Sequence, residues 1–128
     1  MAHDTARIVE AMRPLFLARL MEGGDPVEVE ADLLGMAHEA AREAYARSLE
    51  AWDASLCSSL PDGTVVHDAR PRRLASRLGD VVYSRRVCRD RFGNPVVPLD
   101  EAMDLPERAR LTPALESELV WLAAGDSY

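Results

Sequence analysis

Lysine is absent from the 128-residue chain, cysteine occurs only twice, and no apolar run is long enough to span a bilayer. Each shortage excludes something. Without lysine, all fifteen cations are arginine. A GC-rich coding bias is the first explanation. The physical consequence holds regardless, because a guanidinium offers planar, bidentate donors suited to phosphates and base edges. Cys57 and Cys88 form no CxxC pair and have no histidine at zinc-ligand spacing. They read as isolated thiols of a reduced, cytoplasmic chain. The apolar stretch over 8–21 is interrupted by Arg13, Pro14 and Arg19. It is too charged for a membrane span, and no secretory leader pattern precedes it, so no membrane partner is expected.

Catalytic motifs are missing as well. Gly23-Gly24 has no following Lys-Ser/Thr and cannot be a phosphate-cradling loop. His38-Glu39 resembles half of a zincin helix, but position 42 is Arg where the second His must stand. His3 and His67 are solitary, and no Ser, His and Asp grouping follows from spacing. No catalytic residue, metal site or cofactor is expected within this chain.

What is present suits one ordinary domain over 1–128, at 14.1 kDa with 48% hydrophobic residues. The net charge of −7 argues against nucleic acid until it is divided along the chain. Residues 1–69 carry five arginines and thirteen acids, 70–91 eight arginines and two acids, and 92–128 two arginines and seven acids. The basic charge therefore concentrates in one short window.

The pattern predicts an α+β fold: N-terminal helices including one long helix, an Arg-rich antiparallel β-hairpin or short sheet, and a C-terminal helix. Residues 1–60 read as helical. A first helix over 4–21 should kink or restart at Pro14. The second opens at Asp25-Pro26 with Glu28 at the capping-box position. It carries a stripe of Leu34, Ala41, Tyr45, Leu49, Trp52 and Leu56, with Glu39, Glu43, Glu50 and Asp53 mainly on its polar face. Residues 64–98 form a basic β-ribbon, with alternating strands on either side of a Gly79-Asp80 turn and a short third strand at Val96-Val97. Thr112-Pro113 opens a helix over 112–125. Trp52, Trp121 and Tyr83 read as packing residues.

Two features could carry function. Asp100 follows a short strand, as carboxylates of metal-dependent nucleases do, although a helix cap is the simpler role. The ribbon is the stronger feature. Arg72, Arg73, Arg77, Arg85, Arg86 and Arg89 crowd onto two paired strands, and such a ribbon fits a DNA groove. The alternative is that these arginines pair with the acidic face of the long helix and meet no nucleic acid.

The stretch 72–90, RRLASRLGDVVYSRRVCRD, resembles a signature of insertion-sequence transposases of the ISLre type: basic strand, Gly-acid-Val turn, Arg-rich strand, aromatic, Asp. The similarity continues through Gly93, Leu99-Asp100-Glu101-Ala102-Met103-Asp104-Leu105 and Arg110-Leu111-Thr112-Pro113-Ala114-Leu115. Upstream, Leu49-Glu50-Ala51-Trp52-Asp53 matches the leucine, aromatic and Asp that precede the family's basic region. It covers about residues 45–128. Cys88 stands where the family often has Tyr, and residues 1–40 match weakly.

The resemblance implies a DDE-type transposase whose metal-binding acids lie downstream of this region. The helix over 112–124 would begin a helix-turn-helix, with Tyr128 matching the family's Tyr between its helices. On that reading the chain is a non-catalytic N-terminal region, truncated before the catalytic domain. On this reading the expected partners are DNA at element ends, met through the six ribbon arginines, and a second subunit paired through the long helix as a homodimer. The reading from a different class is a protein-interaction module with no intrinsic DNA affinity.

Overall fold

Local signals in the sequence place most of the element boundaries. A computed structural model describes residues 2–125. In chain order the elements are α1 (Ala2–Glu22), α2 (Pro26–Cys57), β1 (Val65–Ser76), β2 (Gly79–Arg89), β3 (Pro95–Val96), α3 (Pro98–Ala102) and α4 (Pro113–Gly125). The fold is α+β. The chain divides into two units, residues 1–41 and 42–128. Tyr128 lies outside the described residues. Among those described, no helix is long and apolar enough to cross a membrane.

In the first unit, α1 runs without interruption through Pro14, so of the expected kink or restart the restart does not occur. Proline removes one i→i−4 bond, and the turns on either side keep theirs. The helix stops where Gly23 and Gly24 adopt φ of 75° and 116°, a region that favours residues without a Cβ. Arg19 ties the bend together: its Nε donates to Asp32 at 2.8 Å and its Nη1 to the Gly23 carbonyl at 2.9 Å. The Asp25 carboxylate accepts from the Val27 amide at 3.4 Å, the expected cap in a stretched form. Val29 is buried, whereas Ile8, Val9, Leu15, Leu17, Leu20 and Met21 of α1 are exposed.

The second unit holds a core of Ala46 and Leu49 from α2, Leu74, Val81 and Tyr83 from the sheet, and Leu99 and Leu105 beyond it. The sheet is antiparallel in the order β1-β2-β3. In the β1–β2 register Arg72 faces Tyr83, Leu74 faces Val81 and Ser76 faces Gly79. The hairpin turn is therefore Arg77-Leu78, two residues before the expected Gly79-Asp80. Ser76 decides this: its Oγ accepts from the Leu78 amide at 3.1 Å and donates to the Gly79 carbonyl at 2.7 Å. Gly79, at φ 105°, closes the turn as the first residue of β2.

The segment after the sheet folds back onto it. Thr112 donates to the Ala75 carbonyl at 2.9 Å, and Ala75 donates to the Arg110 carbonyl at 2.9 Å, a short parallel bridge on the free edge of β1. Thr112 then caps α4, its Oγ1 accepting from the Leu115 amide at 3.3 Å. Neither tryptophan is a core anchor: Trp52 is 43% and Trp121 74% exposed. The buried stripe of α2 passes through Ala46, Leu49 and Asp53, one helical position away from Trp52.

Candidate nucleic-acid interface

Strand alternation splits the predicted arginines into two populations with different physics. Arg72 and Arg85 share the inward face with Leu74, Val81, Tyr83 and Val87. A guanidinium there must find partners, because burying an unpaired charge is costly. Arg72 finds four. Its Nη1 donates to Asp100 Oδ2 at 2.8 Å, and its Nη2 to the carbonyls of Ala109 at 2.9 Å, Pro106 at 3.0 Å and Glu107 at 3.4 Å. The Arg85 Nε lies 3.5 Å from Asp100 Oδ1, an ion pair without a hydrogen bond.

Asp100 is therefore not the cap of α3 but an ion partner of both guanidiniums. The N-cap of α3 is Val97, with Pro98 at the first helical position. One turn in, Asp100 is buried between two guanidiniums. Tyr83 packs against the same cluster. Burial, the largest influence, raises its phenol above 10.0, and the Asp100 charge pushes the same way against Arg72 and Arg85. Among the described residues, no group of three or more His, Cys, Asp or Glu could hold a metal ion.

Arg86, in the opposite strand phase to Arg85 and half-exposed, meets α2. Its backbone amide donates to Asp53 Oδ1 at 3.0 Å and its Nη1 to Asp53 Oδ2 at 3.1 Å. One strand step earlier, the Ser84 amide donates to Glu50 at 2.8 Å. These are amides of the β2 edge that β3 does not reach, so two carboxylates of α2 satisfy an otherwise open sheet edge. Asp53, expected on the solvated face, is buried for that reason. Part of the expected arginine–acid pairing with the long helix is thus present, at Arg86.

The remaining arginines face water. Arg73 is 72% exposed, 4.0 Å from Asp80, on the outer face beside the exposed Val82. Arg77 occupies the hairpin turn, 65% exposed and 2.9 Å from Glu118. Arg89 is exposed at the far end of β2, its Nη1 donating to the Gly93 carbonyl at 2.9 Å. Arg70 is exposed and paired with Asp68 at 3.2 Å. Beyond Arg89, Asp90 Oδ1 accepts from the Phe92 and Asn94 amides, both at 2.9 Å. That turn presents an exposed Phe92 with the Arg91 guanidinium 4.8 Å over its ring.

Sequence reasoning placed the six arginines together and singled out Asp100, but not as the hub beneath Arg72 and Arg85, and it did not foresee Glu50 and Asp53 on the edge amides of β2. The signal for the hub was available. Arg72 shares the period-two phase of Leu74 and Ser76, and Arg85 that of Tyr83 and Val87, so both point inward and require a buried acid.

Over 102 residues, 79% of the chain, the sequence is 26% identical to a Streptococcus gallolyticus protein described as "UPF0236 protein in vanSb 3'region". The chain spans 23% of that protein's length. No family model matches the chain, and no solved structure matches it.

Proposed function

We propose that this chain is a non-catalytic N-terminal DNA-contacting and assembly region of an insertion-sequence transposase of the ISLre type, acting in DNA transposition. The resemblance over residues 45–128 supports the family, and the similarity to the longer streptococcal protein is compatible with it. The observation that carries the DNA reading is the division of the arginines. Arg72 and Arg85 hold the ribbon's shape from inside, and Arg73, Arg77 and Arg89, with the half-exposed Arg86, present charge to solvent from it. Phosphate contacts from such a ribbon position it on a duplex, and a strand pair fits a groove. No catalytic step falls to these residues. In enzymes of this type the metal-binding acids belong to a downstream domain.

Four phosphate contacts give a slope of log K against log salt of about −3 to −4. A salt titration of binding to element-end DNA measures it. Arg73→Glu with Arg89→Glu should weaken binding and flatten the slope while leaving the fold intact. Absence of binding at low salt, in a chain shown to be folded, refutes the reading.

A second reading, a protein-interaction or dimerisation module, is favoured by one observation: α1 exposes Ile8, Val9, Leu15, Leu17, Leu20 and Met21. A helix apolar on several sides is normally covered. Sedimentation equilibrium should then show a concentration-dependent mass that Leu17→Glu abolishes.

A further inference from the structure

The contacts between α2 and β2 form a ladder. Its first rung is Glu50 on the Ser84 amide at 2.8 Å and its second is Asp53 on the Arg86 amide at 3.0 Å. Helix and strand run in the same direction past each other. Three and four residues of helix advance about 4.5 and 6 Å, and two residues of strand about 6.6 Å. Steps of 50, 53 and 57 along one helix face thus keep pace with 84, 86 and 88 along one strand. The third rung is Cys57 opposite Cys88. Two thiols about thirty positions apart, expected to be isolated, are side-chain neighbours within hydrogen-bonding reach.

We infer that Cys57 and Cys88 form a redox-active dithiol, a modification site that a low-molecular-weight disulfide oxidises to an intramolecular bond tying the end of α2 to β2. The environment divides the two roles. Cys57 is partly exposed and within reach of a reagent, whereas Cys88 is fully buried. Burial, then the Cys57 thiol and the Asp53 carboxylate, push the Cys88 thiol up to about 11, against the opposing pull of Arg86. Cys57 is therefore the attacking sulfur and Cys88 the resolving one.

In the first step the Cys57 sulfur displaces one half of the reagent as a thiol, which carries away the Cys57 proton. In the second the Cys88 sulfur attacks Cys57 and releases the other half, which carries away the Cys88 proton. The protein loses two electrons and two protons, and the reagent is reduced to two thiols. The bond would bridge the helix that caps the open β2 edge to that same strand, a covalent version of the Asp53–Arg86 contact.

The test is incubation of the folded chain with oxidised glutathione at mildly alkaline pH, followed by acid quenching and intact-mass and peptide analysis. The expected product is a monomer lighter by two hydrogens, with the Cys57 and Cys88 peptides joined. Its melting temperature should rise, and dithiothreitol should reverse the shift. Cys88→Ser should accumulate a stable glutathione adduct on Cys57. Cys57→Ser should react only when denatured. A persistent adduct on wild-type Cys57, a disulfide between two chains, or native thiols inert in a chain that reacts once unfolded would each overturn the assignment.

Discussion

Replacing Arg72 by alanine tests the reasoning where it is most exposed to refutation. The side chain is 7% exposed and its ion partner, Asp100, 11%. Their 2.8 Å contact thus lies almost wholly out of water. Truncation leaves the Asp100 carboxylate facing only the unaligned Arg85 Nε, 3.5 Å away. It also strips the guanidinium from the carbonyls of Pro106, Glu107 and Ala109, which hold the segment leading to the β1 edge. Removing one partner of a buried ion pair costs about 3–5 kcal/mol, against a total domain stability of about 5–15 kcal/mol.

Urea unfolding followed by circular dichroism measures the loss as a shift of the midpoint at constant slope. Asp100→Asn and the double variant complete a cycle. Once Arg72 is gone, neutralising Asp100 should cost less than it does in the wild type, so the two losses should fall short of adding. A loss for Arg72→Ala below about 1 kcal/mol, the range of surface pairs, would mean the guanidinium is in effect solvated. Strict additivity would mean that it does not act through Asp100. Either result refutes the assignment of Arg72 to the interior.

Two further outcomes are expected. Gly79→Ala places a Cβ 2.7 Å from Arg42 Cδ at φ 105°, so it should destabilise by about 1–3 kcal/mol in thermal melts, while Asp80→Ala, one residue on, should be nearly neutral. The Cys88 thiol sits at about 11 in the fold against an ordinary 9.0, so the folded state retains a proton that the unfolded chain releases. Its contribution is complete below about pH 9 and is lost as pH rises toward 11. Melting temperatures across that range should fall less steeply in Cys88→Ser than in the wild type, and equal slopes would contradict the shift.

Element types were legible because they follow from local chemistry: Asp25-Pro26 and Thr112-Pro113 as helix starts, Gly23-Gly24 as a stop, alternation in the ribbon. The hairpin turn was displaced by two residues because Gly79-Asp80 is the stronger turn dipeptide, yet the Ser76 hydroxyl closes the loop around Arg77-Leu78. Trp52 misled for another reason. The hydrophobic stripe did contain Tyr45, Leu49 and Leu56, which pack on the core, but the buried face is centred on Ala46, Leu49 and Asp53 and leaves Trp52 at its margin.

The basic character of the ribbon belongs to the sequence itself: eight arginines in residues 70–91 stay together in any fold that pairs the two strands. Which of them meet water was decided by tertiary structure alone. Only the docking of α3 brings Asp100 beneath Arg72 and Arg85, and only the course of α2 along the β2 edge brings Asp53 to Arg86. The same passage sets Cys57 against Cys88. Charge along a chain is local information, whereas its compensation depends on residues about thirty positions away, which no local pattern encodes.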